Sequence, residues 1–357
     1  QPFVNGVRSG KVNGIDVIEF EMPYSNHDGF VRRTITFLKF ACRSVALALR
    51  QDCDLVFATS TPLTAGIPGI VATIIRRKPF VFEVRDLWPE LPREMGVITN
   101  PLLLAAMSLL EWASYHAARA CIGLAPGIVD GIRRRGIAAD RVHLVPNGCD
   151  LDLFGQAAAE PWRPEGVLAT DLMAVFTGAH GIANGLDAVL DAAAVLKRRA
   201  RNDIKLVFIG DGKLKPALMR RAQTEHLENC VFHPLVPKVR LSGLMKAADV
   251  GLMILSNTPA FYFGTSPNKF FDYIASGIPV LNNYPGWVAG MLEQYRCGIA
   301  IPPDDPGAFA DELERMADNR AALREMGANG WLLATREFDR RVLADRFVNV
   351  LEAAAPT

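Results

Sequence analysis

The sequence lacks the features that mark several specialised classes of protein. Its 39 basic and 38 acidic residues leave a net charge of only +1, which is not the balance of a protein that coats nucleic acid. No run of about 18 apolar, uncharged residues is present, so we expect no membrane-spanning helix. The sequence opens on Gln-Pro and shows no signal-peptide pattern. We therefore expect a cytoplasmic globular protein.

Cysteine is also scarce and unpatterned. The six cysteines include no C-x-x-C pair and no spacing typical of a metal site. Scattered cysteines in a long chain are mostly unpaired thiols in a reducing compartment. We predict no metal site from Cys42, Cys53, Cys121, Cys149, Cys230 and Cys297.

Short apolar runs that alternate with longer helical patterns are the main feature that is present. A chain of 357 residues is long enough for two domains. Runs such as LVFIG and FVFEV suit strands that are buried on both faces. Strands are predicted at 17–20, 54–60, 80–85, 121–125, 142–145, 174–177, 205–209, 231–234, 250–255, 279–281 and 298–301. Their alternation with helices predicts an α/β fold of two doubly wound, Rossmann-like domains that face a cleft, joined by a Gly- and Pro-rich linker at 146–166.

Two strand-to-helix turns are rich in glycine. The turn GAHGIANG at 178–185 has more glycine than a simple turn needs, and GDG follows a strand at 210–212. Glycine lets the backbone approach a phosphate or a sugar closely. An ordinary turn explains the second motif equally well, and a lone histidine is more often structural. The candidate ligand contacts are Gly178, His180, Gly181, Gly210, Asp211 and Gly212.

Three charged residues stand at the end of the predicted strand 80–85. Glu83, Arg85 and Asp86 would lie at the carboxyl edge of a sheet, where charge is costly unless it is paired or functional. We predict a catalytic role for this cluster. An ion pair between Arg85 and Asp86 is the structural alternative.

The stretch TSPNKFFDYIASG places a cation at the start of a predicted helix and a carboxylate one turn later. A helix N-terminus and Lys269 together would bind phosphate. Asp272 could accept the hydroxyl groups of a ribose. This pair predicts a site for a nucleoside diphosphate.

The segment 30–51 carries five basic residues and no acidic one. Arg32, Lys39, Arg43 and Arg50 fall on one stripe of a helix whose other residues are mostly apolar. A solvent-facing stripe on a packed helix is one interpretation. A helix that docks on anionic lipid is the other.

The order of the motifs resembles family-4 retaining glycosyltransferases, which have the two-domain GT-B fold. The motifs are FEVRDLWPE, VPNGCDLDLF, GAHGIANGLDAVL, KLVFIGDGKLKPAL, SPNKFFDYIASGIPVL and GIAIPPDDPGAFADEL. The resemblance covers nearly the whole chain and extends to the branch that builds bacterial O-antigen and capsule, including transferases of N-acetylfucosamine. It also implies an initial strand and glycine-rich loop, and no such motif follows Gln1.

The resemblance implies how a donor would lie on the carboxyl domain. The base would lie beside Val236 and Pro237, and the ribose would be held by Asp272, the second acid of the family's E-x7-E motif. Glycine occupies the position of the first acid, Gly264. The contacts with the donor sugar would then come from Thr265, Ser266 and Asn268.

Two other family positions also differ. Ala179 and Asn184 stand where many relatives carry an arginine and a lysine that hold phosphate, so Lys269 and the backbone N–H groups of 178–181 would form the clamp. Arg85-Asp86 replaces a His-Asp pair. In retaining members the departing diphosphate itself takes the proton of the acceptor, and no metal is required.

The function implied is transfer of an amino or deoxy hexose from a nucleotide diphosphate, UDP above all, to a polyprenyl-diphosphate-linked saccharide at the inner membrane face. No cofactor and no nucleic acid are expected. A UDP-sugar 2-epimerase of the same fold and a non-catalytic binding subunit are the alternatives. The domains are predicted at 1–160 and 161–335, with a carboxyl-terminal helix at 336–357 that packs back on the first domain.

Overall fold

The computed structural model describes residues 2–23, 29–155 and 159–355. There the chain forms two parallel β-sheets and one antiparallel hairpin, with helices between the parallel strands. The predicted α/β architecture of two doubly wound domains is confirmed. Residues 1, 24–28, 156–158 and 356–357, which belong to the predicted domain ranges and linker, lie outside the described part.

Four strands form the first sheet, namely β3 Val56–Thr59, β4 Phe80–Val84, β5 Ala120–Gly123 and β6 Val142–Leu144. They lie in the order β3-β4-β5-β6, and all three pairings are parallel. All four residues of β5 are buried, as its continuous apolar sequence predicts. The predictions at 54–60, 80–85, 121–125 and 142–145 are confirmed, with shorter strands.

The strand predicted at 17–20 exists but is not part of a parallel sheet. It is β2 Ile15–Phe20, and it pairs antiparallel with β1 Val7–Val12. Asn13 and Gly14 form the turn between them, with φ of 49° and 84°. Asn-Gly is the preferred pair for a two-residue hairpin turn, so the dipeptide was the signal that the sequence analysis missed.

The second sheet has six strands, namely β7 Leu172–Thr177, β8 Ile204–Ile209, β9 Cys230–His233, β10 Val250–Met253, β11 Val280–Asn282 and β12 Gly298–Ala300. Their order is β12-β11-β10-β7-β8-β9, and every pairing is parallel. The six strands predicted for the second half of the chain are confirmed. The strand order reverses between β7 and β10.

The helices of the first half are α1 Phe30–Arg50, α2 Gly66–Arg76, α3 Glu90–Glu94, α4 Pro101–Ala117, α5 Pro126–Arg134 and α6 Leu151–Phe154. Those of the second half are α7 Asp187–Arg198, α8 Lys215–Thr224, α9 Lys238–Ala247, α10 Ala260–Gly264, α11 Asn268–Ala275, α12 Trp287–Tyr295, α13 Pro306–Asp318, α14 Arg320–Glu337 and α15 Arg340–Ala354. Local signals explain several starts. Asn100 and Asp305 cap α4 and α13 with side-chain hydrogen bonds, and proline opens both helices.

The two domains touch through segments that follow strands in both sheets. Asn147, after β6, donates from its backbone N–H to Ser266 Oγ and from Nδ2 to the Ser266 carbonyl, at 2.9 and 2.6 Å. The last helix also bridges the domains. The ring of Phe347 on α15 meets the ring of Phe57 on β3 at 5.1 Å between centroids. The segment after β6 and the loop before α11 therefore meet at the junction of the domains.

Candidate functional site

Helix α11 stands over the point where the strand order of the second sheet reverses. Its Tyr273 is buried, and the hydroxyl accepts a hydrogen bond from Thr177 N–H at 3.1 Å and lies 3.1 Å from the Val175 carbonyl. A Cβ on Gly251 of β10 would lie 2.4 Å from the tyrosine ring, so glycine there lets the helix approach. Open parallel sheets bind ligands at this kind of position.

The sequence-predicted cation, Lys269, reaches the first glycine loop. Its Nζ donates to Asn184 Oδ1 at 2.6 Å and lies 4.1 Å from the centre of the Phe176 ring. A Cβ on Gly178 would lie 3.9 Å from the same nitrogen. Burial lowers the pKa of Lys269 to about 7. The structure thus brings together the two parts of the predicted phosphate clamp, Lys269 and the exposed backbone of Gly178.

The second glycine loop packs on the first. A Cβ on Gly210 would lie 2.0 Å from the Gly178 carbonyl oxygen, and one on Gly212 would lie 2.6 Å from the His180 carbonyl oxygen. The carbonyl of Asp211 accepts a hydrogen bond from His180 N–H at 2.9 Å. These glycines are therefore needed for contact between two loops, whether or not a ligand also approaches them. The Asp211 carboxylate is exposed.

His180 does not face the cleft. Its side chain is fully buried against the rings of Phe176, Phe208 and Phe232, with centroid distances of 5.9, 6.3 and 6.4 Å. Burial, with the charge of Lys215 as the next cause, lowers the pKa of this imidazole to about 4. The ring offers no exposed surface to a nucleotide, so any contribution to binding comes through the shape of the loop.

Asp272 lies on α11 but points to a different loop from Lys269. Its Oδ1 is 3.9 Å from Lys238 Nζ, at the start of α9 and directly after Val236 and Pro237. Burial raises the pKa of Asp272 to about 6, against the lowering effect of Lys238. The predicted base contact and the predicted ribose contact are thereby neighbours. Lys238 is a charged residue of this site that the sequence analysis did not single out.

The loop before α11 is divided between the site and the domain junction. Thr265 Oγ donates to the Phe261 carbonyl at 3.0 Å, and Ser266 is engaged by Asn147. Asn268 is exposed at the first turn of α11. Gly264 has open space around it, since no heavy atom lies within 4 Å of a Cβ built there. A Cβ at this position, where the resemblance places the missing acid, would therefore meet no other atom.

The charged cluster of the first domain is only partly paired. Glu83 accepts a hydrogen bond from Thr59 at 2.7 Å and pairs with Arg85 at 3.4 Å. Asp86 accepts from Thr61 Oγ1 at 3.3 Å, and burial raises the pKa of this carboxyl. The ion pair that the sequence suggested, Arg85 with Asp86, is thus replaced by Arg85 with Glu83. Asp86 is left as a half-buried carboxylate with a hydroxyl partner.

A cavity of about 310 Å³ lies between the domains, beside the loop that precedes α11. Its walls come from α3 and α5 on one side and from α10 on the other, and include Gly264. Glu94 accepts a hydrogen bond from Ala260 N–H at 2.8 Å across the junction. A Cβ on Gly127 would lie 2.7 Å from the Phe263 backbone. No local sequence pattern signals these contacts, because they join segments more than 100 positions apart.

Two Asp-x-Asp sequences occur, at 52–54 and 150–152. Asp150 caps α6 and pairs with Arg340 at 3.0 Å, and Asp152 pairs with Arg341 at 3.2 Å. Within the described ranges, no group of three or more His, Cys, Asp or Glu side chains is arranged to hold a metal ion. In the same ranges, no helix has both the length and the apolar character needed to cross a membrane.

Two family models match the chain, one for each domain. The model described as "Glycosyl transferase 4-like domain" matches residues 5–148, and the model described as "Glycosyl transferases group 1" matches residues 172–319. Together they account for most of the sequence and leave only the linker and the two ends unmatched.

Curated proteins with similar sequences are also named as glycosyltransferases. A Bacillus subtilis protein named glycosyltransferase EpsF is 34% identical over 40% of this chain and 36% of its own length. The D-inositol 3-phosphate glycosyltransferase of Xylanimonas cellulosilytica is 27% identical over 58% and 50%. The alpha-D-kanosaminyltransferase of Streptomyces kanamyceticus is 23% identical over 68% and 63%. The matched part of this chain thus spans less than two thirds of each relative.

Solved structures share the fold over nearly the whole chain. HepE of Anabaena, in complex with UDP, has a TM-score of 0.68 at 16% identity and covers 90% of this chain and 84% of its own. The sucrose-phosphate synthase of Thermosynechococcus elongatus has a TM-score of 0.74 at 16% identity and covers 99% and 86%. At this identity the likeness shows the fold.

Proposed function

Because the chain belongs to the group 1 glycosyltransferases and has their two-domain GT-B fold, we propose that it transfers a sugar from UDP with retention of anomeric configuration. The sugar is an amino or deoxy hexose, and the acceptor is a lipid-linked saccharide used for surface polysaccharide. Neither a metal ion nor a cofactor takes part. The observation that carries the proposal is the placement of Lys269 and Asp272 at two ends of one site.

The donor lies along α11 in this proposal. The base stacks beside Val236 and Pro237, the ribose hydroxyls bond to Asp272, and the diphosphate reaches Lys269 and the backbone of Gly178. Support comes from the neighbouring positions of Lys238 and Asp272 and from the contact of Lys269 with the first glycine loop. The start of α11 has no side-chain cap, and the Phe270 N–H bonds to the Pro267 carbonyl, so the Asn268 and Lys269 N–H groups are the ones proposed to bind the diphosphate.

The chemical step breaks the bond between the anomeric carbon and the diphosphate oxygen of UDP and joins that carbon to the acceptor hydroxyl oxygen on the same face, while the hydroxyl proton passes to the departing diphosphate. Negative charge grows on the diphosphate as the bond to the anomeric carbon breaks, and Lys269 with the helix and loop N–H groups stabilises that charge. In this proposal Asp86 and Arg85, at the end of β4, orient the acceptor hydroxyl from the first domain. Burial raises the pKa of Asp86, so its carboxylate accepts a stronger hydrogen bond from that hydroxyl.

The acceptor's lipid would bring the first domain to a membrane surface. On α1, Val31, Ile35 and Leu38 are 70%, 48% and 46% exposed, and Lys39 beside them is exposed. Apolar and basic side chains on one exposed helix suit an anionic lipid surface. Arg43 serves another purpose, since it donates to the Gly6 carbonyl at 3.1 Å and holds the hairpin.

Sedimentation with phosphatidylglycerol vesicles tests the membrane contact. We expect the double variant Ile35→Glu/Lys39→Glu to lose vesicle binding. Met219→Glu on α8 is the matched control, because Met219 is 46% exposed on the other domain. Equal sedimentation of the double variant and the wild type would rule out α1 as the membrane contact.

Calorimetric titration with UDP, GDP and UMP tests the nucleotide site. We expect UDP to bind, and both Lys269→Ala and Asp272→Ala to weaken its binding at least tenfold. The binding of UMP should be less sensitive to Lys269→Ala, because UMP lacks the second phosphate. Lys197→Ala and Asp345→Ala, at exposed positions on α7 and α15, are the matched controls. Absence of binding by every nucleotide would refute the transferase proposal. Release of UDP only in the presence of acceptor would separate a transferase from an epimerase or a binding subunit.

A further inference from the structure

We infer that Asn184 is a positioning residue that holds the Lys269 side chain beside the first glycine loop and presents it to the donor's diphosphate. The inference rests on the proposed function for the identity of the ligand. It assigns a role to a residue whose type, a neutral amide, would not itself bind phosphate strongly. The contact between Asn184 and Lys269 joins positions that are 85 residues apart.

Asn184 bridges the lysine and the loop. Its Oδ1 accepts from Lys269 Nζ at 2.6 Å, and its Nδ2 donates to the Ala179 carbonyl at 2.8 Å. Its backbone is fixed as well. The next residue, Gly185, has φ of 52°, and a Cβ there would lie 2.8 Å from Ser256 Cα on the loop after β10. The amide is therefore held at both ends and gives Lys269 a defined direction.

A neutral acceptor suits this task better than a carboxylate would. The amide oxygen takes one of the three N–H donors of the lysine and leaves its charge uncancelled. In the described part of the chain, no carboxylate lies within ion-pair distance of Lys269. Phe176 covers the ammonium from below, at 4.1 Å. The remaining donors can reach a ligand at the exposed backbone of Gly178 and Ala179.

The charged groups around Lys269 leave it as the main cation of the loop. His180 lies on the same loop and is neutral above pH 4 or so, because burial lowers its pKa to about 4. Lys215, from the start of α8, already donates to the carbonyls of Gly210 and His233, at 2.6 and 2.9 Å. Asp211 is on the second glycine loop and interacts with His180, and Asp272 points to Lys238. A bound diphosphate would therefore be the principal counter-charge of Lys269.

Titration of the ligand-free protein tests the inference without any nucleotide. Lysine labelled with ¹³C at the ε-carbon reports the protonation of Lys269 by NMR. We expect Asn184→Ala to lower the pKa of Lys269 and Asn184→Asp to raise it, and Asn202→Ala, an exposed turn residue of the same domain, to leave it unchanged. Identical titration of Lys269 in all three variants would overturn the inference.

A second test exchanges the Asn184 and Lys269 side chains and measures UDP binding by calorimetry. We expect Asn184→Ala to weaken UDP binding about tenfold, as for loss of a hydrogen bond to a charged group. Lys269→Asn alone should lose more, and the exchange variant Asn184→Lys/Lys269→Asn should recover most of the affinity. An Asn184→Ala variant that binds UDP like the wild type would contradict the role. If the wild type itself does not bind UDP, the proposed function fails, and the NMR titration still decides the positioning role.

Discussion

At the scale of single residues, burial shifts the pKa values of Lys269, Asp272, Asp86 and His180 toward the neutral forms of these groups. The pKa of Lys269 falls to about 7, and that of Asp272 rises to about 6. Burial penalises the charged form of either sign, and the Asn184 amide beside Lys269 and the Lys238 ammonium 3.9 Å from Asp272 do not offset that penalty. A ligand that brings both a negative diphosphate and ribose hydroxyls would supply the missing partners.

The lowered pKa of Lys269 predicts that UDP binding depends on pH. Only the charged lysine binds the diphosphate, so affinity falls as the pH rises above about 7. From pH 7 to pH 8 we expect a loss of about fivefold, since the charged fraction drops from about a half to about a tenth. Lys269→Arg stays charged and should show no such loss by calorimetry. A wild-type affinity that is flat across this range would contradict the assignment.

His180 predicts a pH dependence of stability. Its pKa is about 4 in the folded protein and near 6.5 when unfolded, so the unfolded state binds more protons between these values. Stability therefore falls as the pH drops from about 6.5 to 4. We expect His180→Leu to be near neutral at pH 7 and to gain up to about 3 kcal/mol over the wild type at pH 4, measured by urea unfolding. Parallel pH curves for the two proteins would refute the assignment.

At the scale of elements, the two glycine loops act as one unit. Gly210 has φ of 142° and lies against the Gly178 carbonyl. We expect Gly210→Ala to destabilise the protein by about 3 kcal/mol or more, because a Cβ there meets backbone and the conformation is strained. Thermal unfolding measures the cost. Gly264→Ala is the control, because it has open space and should change stability by less than about 0.5 kcal/mol.

A Gly210→Ala variant as stable as Gly264→Ala would show that the loops separate easily. That outcome would also count against the proposed phosphate clamp. The position of the exposed backbone at Gly178 depends on the second loop behind it.

At the scale of the whole molecule, α10 and the loop that follows it are hydrogen-bonded to the first domain. Ser266 bonds to Asn147, and Ala260 bonds to Glu94. Closure of the domains over a donor would change the geometry of both hydrogen bonds. Such closure is common in enzymes that bind substrate in a cleft. These contacts couple the loop before α11, the proposed sugar site, to the relative position of the two domains.

Gly127 offers a way to disturb that coupling. A side chain at this position would meet the Phe263 backbone, so we expect Gly127→Ala to push the domains apart and lower kcat/KM at least tenfold. Small-angle scattering should show a larger radius of gyration, with each domain still folded by circular dichroism. Gly290→Ala in α12, where no atom lies within 4 Å of the added Cβ, should leave both measurements unchanged. An unchanged radius and rate for Gly127→Ala would mean that the junction adjusts at little cost.

The sequence by itself determined the sheet strands, the division into two α/β halves and the candidate nucleotide residues. Local patterns are sufficient for these, because a strand buried on both faces reads as a continuous apolar run and a glycine-rich turn is visible in a few residues. The family resemblance added the direction of the donor. The Asn-Gly pair at 13–14 equally predicts a hairpin, so the assignment of the strand at 17–20 to a parallel sheet was wrong.

Only the tertiary structure decided which of these residues meet. Lys269 and Asn184, Asp272 and Lys238, and Ser266 and Asn147 are separated by 85, 34 and 119 positions, and no local pattern relates them. The same holds for the burial of His180, which depends on aromatic rings from three strands. Burial and pairing set the charge of each group, and both are properties of the packed molecule. The charge and the contacts of the candidate site are therefore set by packing, although several of its residues, Lys269 and Asp272 among them, were recognisable in the sequence.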